Sequence, residues 1–276
     1  MSGVFVTGTD TGCGKTAISV GLMAALQATG LRVLGMKPVA SGCALTPCGL
    51  RNADALQLQE QGSSREPYER INPYAFAPPI APHLAAAAAG VAIDLTTIVR
   101  AYSALKAKAD LVVVEGVGGW RVPLGVDFSL SDLPTALELP VILVAGLKLG
   151  CLNHALLTAE SIQSSDTRLI GWIGNQVDPE MLVLDANLAT LTALIDAPCL
   201  GIVPWLDQAE PEQVAGYLRG LVPLRESLAN EGERSAYTKT PSGTPRTDPA
   251  PGSCKKSSPA IATDHPAPDS HSQGKM

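Results

Sequence analysis

Gly8-Thr9-Asp10-Thr11-Gly12-Cys13-Gly14-Lys15-Thr16 follows a short apolar run, Val4-Phe5-Val6-Thr7, and leads into a segment of helical composition. Strand, glycine-rich loop and helix in that order form a phosphate-binding frame. Glycines let backbone N–H groups turn onto phosphate oxygens, and the helix N-terminus adds its dipole. Lys15 supplies a cation and the Thr16 hydroxyl a magnesium ligand. A plain strand-to-helix turn would not need the Gly-Lys-Thr ending.

Working outward, short apolar, β-branched runs alternate with longer helical patterns. Val4 to Thr7, Val33 to Met36, Leu111 to Glu115, Val141 to Ala145, Leu169 to Asn175 and Leu200 to Val203 read as strands. Their near-continuous hydrophobicity suits parallel strands buried on both faces. Lys15 to Thr29, Asp54 to Gln61, Leu95 to Lys108, Leu152 to Ser164, Asn187 to Ile195 and Glu212 to Leu221 read as helices. The alternation predicts an α/β fold: a single doubly wound, mainly parallel sheet with helices on both faces.

With 276 residues, 46% of them hydrophobic, the chain can bury a large core. A net charge of −6 argues against nucleic acid, whose binding needs a basic face. No signal segment is expected, nor an apolar run of the ~18 to 20 residues that crosses a bilayer. Six cysteines without C-x-x-C pairing imply reduced thiols and a cytoplasmic setting. After about Leu228 the composition turns to Pro, Ser, Thr, Gly, Asp and Lys. The expected organisation is therefore a phosphate-loop domain over 1–228 and a disordered tail over 229–276.

Further residues narrow the chemistry. Lys37-Pro38-Val39-Ala40-Ser41-Gly42 follows the second strand, at the carboxyl end where ligands of open α/β sheets bind. Lys15 and Lys37 are expected to converge on one phosphate group, stabilising charge on a transferring phosphoryl. A snorkelling surface lysine is the other reading of Lys37. Glu115 ends the most apolar strand; an acid there is costly unless it meets a cation, which makes it a metal-ligand candidate. Asp54 and Thr16 are its expected companions, although spacing alone reads Asp54 as a first-turn acid favoured by the helix dipole. Asn175 offers an amide able to pair with both donor and acceptor of adenine, or is a turn former.

The loop is one residue longer than the usual phosphate loop and is similar to the bent loop of the nitrogenase iron protein and the partition ATPases. That group's second lysine is matched here by Asp10, which disfavours the alternative of a partition or assembly switch. A glutamine-dependent amidoligase of the cobyrinate type would need a glutaminase domain, for which a tail of roughly 50 residues is too short.

From its start to about Leu221 the chain resembles the dethiobiotin synthetase family. The matching segments are Gly8 to Thr16, Lys37 to Gly42, Leu50-Arg-Asn-Ala-Asp54, Val114 to Trp120, Val141 to His154, Gly171-Trp172, Asn175 and Pro204-Trp205-Leu206. The resemblance implies an ATP- and Mg2+-dependent ligase: one amine of 7,8-diaminononanoate captures CO2 as a carbamate, the carbamate attacks the γ-phosphate, and the second amine closes the ring. It implies Lys37, Lys15, Thr11 and Ser41 at the reacting groups, and Thr16, Asp54 and Glu115 on magnesium. Nucleotide contacts would come from Gly12, Cys13, Gly14, Lys15, Thr16, Ala17, Asp54 and Glu115, then from Gly116, Val117, Gly118, Asn175 and Gln176, and finally from Pro204, Trp205, Leu206 and Glu212.

Substrate contacts would add Gly118, Leu149, Gly150, Cys151 and Asn153 to Lys37, Thr11 and Ser41. Leu149, Gly150, Cys151 and Asn153 lie at a helix start whose free N–H groups suit a carboxylate, although spacing alone reads Asn153 and His154 as first-turn residues. The family reading also implies a homodimer that shares its site. Gly12 stands where some members have Glu, and Asn187 where some have an aromatic. Near Glu212 the chain is one residue longer, so Glu210 is the other candidate.

Overall fold

The six apolar runs do pair into one sheet. The computed structural model describes residues 3–218 and Gly220; the expected tail over 229–276 lies outside the described residues. In chain order the elements begin β1 (Gly3–Gly8), α1 (Lys15–Gln27), β2 (Val33–Met36), β3 (Val39–Ala40), β4 (Ala44–Thr46) and β5 (Gly49–Arg51). There follow α2 (Ala53–Gln61), α3 (Tyr68–Ile71), β6 (Tyr74–Ala75), α4 (Pro82–Ala88), α5 (Leu95–Lys106), β7 (Leu111–Glu115) and α6 (Asp132–Ala136). The last are β8 (Val141–Leu147), α7 (Cys151–Gln163), β9 (Leu169–Gln176), α8 (Leu184–Leu194), β10 (Cys199–Val203) and α9 (Pro211–Ala215).

The main sheet runs β10-β9-β8-β1-β7-β2 with every neighbouring pair parallel. All residues of β1, β2, β7 and β8 are buried, which is why these strands read as continuous apolar runs rather than alternating ones. The chain winds outward from β1 to β2, returns through β7 and then crosses to β8. The carboxyl ends of β1, β7 and β8 therefore frame the switch point at which such folds bind ligands.

Helix packing explains one residue that propensity disfavours. Gly21 lies inside α1, where glycine costs about 1 kcal/mol relative to alanine. A Cβ there would collide with Val214 of α9, so close contact between the two helices requires its absence.

Two differences from the sequence reading stand out. No element is predicted between Met36 and Asp54 or between Gln61 and Leu95, yet the structure has an antiparallel β4–β5 hairpin in the first gap, α3, β6 and α4 in the second, and a β3–β6 pair joining the two. These strands are two or three residues long and Leu45 is exposed, so no apolar period marks them. The last helix is expected over Glu212 to Leu221 but runs only from Pro211 to Ala215, and Gly216 to Leu218 leave the helical path. Residue 219 and residue 221 onward lie outside the described part.

Candidate active site

The phosphate loop is shaped by two residues in the left-handed region, Gly12 at φ 78° and Gly14 at φ 86°. At Gly14 a side chain would also strike the Asn175 amide. The loop is tied to β8: Thr9 N–H donates to Val144 O at 3.0 Å, and Gly146 N–H donates to Thr9 Oγ1 at 3.2 Å. Lys15 Nζ donates to Asp10 O (2.9 Å) and Gly118 O (2.5 Å), joining the loop to the turn after β7. Asp10 pairs with Lys148 at 3.4 Å. Burial works against its carboxylate, but Thr11 N–H and Lys148 hold it below the usual range.

Glu115 ends β7 with no exposed surface. Its Oε1 accepts hydrogen bonds from Thr16 Oγ1 (2.9 Å) and Lys37 Nζ (2.5 Å), whereas its Oε2 is buried without a hydrogen-bond partner. Lys37 Nζ also meets Asp54 Oδ2 at 2.8 Å. Burial would push the Lys37 ammonium down, but Glu115 and Asp54 outweigh it and raise its pKa. Asp54 is likewise raised by burial and pulled below its ordinary value by Lys37. Asp54 sits in the first turn of α2, capped by Asn52 Oδ1 accepting from Ala55 N–H at 3.1 Å. Asp54 is thus a first-turn acid of α2, as its spacing suggests, and Lys37 is a buried ion-pair partner rather than a snorkelling surface lysine.

These groups open onto a cavity of about 820 Å3, within the range of small-molecule sites. Thr11, Gly12, Gly14, Ser41, Val117 and Gly118 line it with Lys15, Thr16, Lys37, Asp54 and Glu115. Lys15 and Lys37 therefore face one space, although each is bonded to its own partners. Pro79, Ile80, Ala81, Pro82 and Val122 also form its wall. Sequence reasoning missed them; for the first four the proline run Pro78-Pro79-Ile80-Ala81-Pro82, with its fixed φ angles, was the available signal, and Val122 had none.

Other expected residues lie off this cavity. Cys13 is buried against Gly8, Gly116 is buried beyond β7, and Ala17 is on α1. Asn175 Nδ2 donates to Cys13 O at 3.0 Å, so it braces the loop from β9. Gln176 Oε1 accepts from Trp205 N–H at 3.3 Å, linking the ends of β9 and β10 beside Pro204 and Leu206. The Trp205 indole donates to Asp207 at 3.2 Å. Glu212 is exposed in the first turn of α9, and Glu210 caps that helix through its backbone alone. Leu149, Gly150, Cys151 and Asn153 form the β8–α7 turn, and none of them lines the cavity.

Residues 2–213 match a family model described as an AAA domain. The ATP-dependent dethiobiotin synthetase BioD of Pseudomonas aeruginosa is 53% identical over 219 residues, covering 79% of this chain and 96% of that one. The chain belongs to the dethiobiotin synthetase family. A second family member, BioD of Chromohalobacter salexigens, is 53% identical over 221 residues, covering 77% of this chain and 93% of its own. Among solved structures, the septum site-determining protein MinD complexed with Mg-ADP, from Pyrococcus horikoshii, aligns with a TM-score of 0.50 at 16% identity, covering 83% of this chain and 98% of that one. That likeness is one of fold.

Proposed function

We propose that this chain is an ATP-dependent ligase that closes the ureido ring of dethiobiotin from 7,8-diaminononanoate and CO2, releasing ADP and phosphate. The observation that carries the reading is the single cavity in which the phosphate loop faces Lys37, Asp54 and Glu115. A switch needs the loop; the buried lysine with two acids beside it serves chemistry on the phosphoryl group.

Mg2+ fits the donor set. Glu115 Oε2 is buried and unpartnered, its Oε1 accepts from the Thr16 hydroxyl, Asp54 shares the Lys37 ammonium with it, and all three donors are oxygen. Bound there, the metal would supply charge neutralisation at the β- and γ-phosphates. Lys15 and the loop amides would hold those phosphates. Lys37, kept as an ammonium by its acids, would balance charge where the carbamate oxygen attacks phosphorus, and Ser41 and Thr11 would orient carbamate and diamine. Asn175, whose Nδ2 donates to Cys13 O, would offer its Oδ1 to an adenine amino group, and Gln176, Pro204 to Leu206 and Glu212 would border the base.

The β8–α7 turn, outside the cavity, would receive the carboxylate of a diamine held by a second copy, giving a homodimer that shares its sites. A cytoplasmic enzyme is consistent with the free cysteines, and no helix among the described residues is long and apolar enough to cross a membrane. The test is incubation with diamine, bicarbonate, Mg2+ and ATP, read by mass spectrometry. A ureido product that depends on all four is the expected result, and its absence rejects the reading.

A further inference from the structure

Lys37 and Asp54 come from separate segments, one leaving β2 and the other opening α2, yet their side chains meet at 2.8 Å. A buried polar relay joins the backbones behind them. The Tyr68 hydroxyl accepts from Asn52 N–H at 2.7 Å and donates to Asn72 Oδ1 at 3.0 Å. Asn72 Nδ2 then donates to Lys37 O at 2.7 Å and to Tyr74 O at 3.1 Å. Lys37 N–H donates to Ile71 O at 2.8 Å, so both backbone polar groups of Lys37 end on the α3 segment. Tyr68 and Asn72 are 6% and 3% exposed, and neither lines the cavity. The Arg51 guanidinium stacks 4.1 Å over the Tyr68 ring, next to the residue that caps α2.

We propose that Tyr68 and Asn72 are positioning residues, setting the distance between Lys37 and the carboxylate of Asp54 through the relay Asn52–Tyr68–Asn72–Lys37. The proposal rests on the ligase reading above. A buried tyrosine and asparagine need hydrogen-bond partners wherever they sit, but here the two ends of the relay land on the backbone of Lys37 and on the residue two positions before Asp54. Tyr68 and Asn72 themselves stand off the cavity, and of the relay only its ends, Asn52 and Lys37, line it. Loss of the relay should therefore alter the reacting geometry while nucleotide affinity is kept, because a small misplacement of reacting groups lowers turnover steeply.

The test compares three full-length variants with the wild type. Tyr68→Phe deletes one oxygen and keeps the ring under Arg51. Asn72→Ser shortens the side chain so that it no longer reaches Lys37 O. Glu66→Gln weakens the far side of the same segment, where Glu66 pairs with Lys108 and Arg70, without touching the relay. The readouts are melting temperature, kcat, KM for ATP, and Mn2+ affinity in the presence of ADP by calorimetry. Expected for both relay variants is a kcat lower by about tenfold or more, KM for ATP within about twofold, and Mn2+ affinity weakened about threefold. Glu66→Gln should lose melting temperature with kcat nearly unchanged. Wild-type kcat in Tyr68→Phe, or an equal loss in Glu66→Gln, overturns the positioning role and leaves the reaction standing. A wild-type protein that forms no ureido product overturns the reaction instead. The Mn2+ measurement needs no turnover, and unchanged affinity in both relay variants then overturns the relay on its own.

Discussion

At the scale of single residues, the site turns on where charge is buried. Glu115 was legible in the sequence because a carboxylate at the end of Leu111-Val112-Val113-Val114 has to meet a cation, and Lys37 does meet it. Lys37 itself was ambiguous by spacing, since its partners lie 17 and 78 residues away. Tyr68 and Asn72 were invisible for the same reason: a relay between distant segments has no period. Lys37→Ala should leave the fold intact and lower turnover by about 10²-fold or more, because it removes the ammonium proposed to stabilise the transferring phosphoryl. Steady-state kinetics with circular dichroism checks it, and near wild-type turnover would count against Lys37. Glu115→Gln exchanges an anionic donor for a neutral amide at the proposed Mg2+ site. The half-saturating Mg2+ concentration should rise about tenfold or more, whereas an unchanged titration curve would remove Glu115 from the ligand set.

The elements that carry the sheet were readable because a parallel strand buried on both faces is uniformly apolar, and all six runs appear as main-sheet strands. The β4–β5 hairpin was not, because its three-residue strands with exposed Leu45 show no such run. Where β2 begins beside β7, the register is held by an ion pair at the surface. Arg32 Nε and NH2 donate to the two Asp110 oxygens at 3.2 and 2.8 Å, and Arg32 N–H adds a third bond at 2.8 Å. The Arg32 side chain, then its backbone N–H, hold Asp110 down to about 2, below the ~3.9 of an unfolded aspartate. A group depressed in this way contributes stability above its unfolded pKa and loses it as pH falls through the folded one. The wild type should therefore exceed Asp110→Asn in melting temperature by a small margin near neutral pH, and that margin should close between about pH 4 and pH 2. Thermal melts across this range decide it; a margin surviving at about pH 2 would assign the difference to packing instead of charge.

For the molecule as a whole, the family model ends at residue 213, and the Pseudomonas aeruginosa relative is 96% covered by 79% of this chain. Truncation after residue 228 should accordingly leave turnover within about twofold of the full chain, and a larger loss would give the tail a role in the reaction. The remaining question is how many copies build one site. The first-turn amides of Leu152 and Asn153 have no carbonyl within α7 to bond, and the helix dipole favours an anion there. Leu149 beside them is 96% exposed, yet no residue from 149 to 153 reaches the cavity that holds Lys37. If the turn receives the substrate carboxylate as proposed, its place outside its own chain's cavity is explained when it serves the partner. Asn153→Asp should then raise KM for the diamine far more than KM for ATP, since it sets a repelling charge beside the carboxylate. Mixed Lys37→Ala and Asn153→Asp chains give the sharper test. In a hybrid dimer with shared sites, one site collects both lesions and the other collects none. Random exchange makes about half the dimers hybrid, so roughly a quarter of wild-type activity should return. If each chain builds its whole site, every site keeps one lesion and nothing returns. With hybrid dimers verified by native mass spectrometry, a mixture as inactive as its components would reject the shared arrangement.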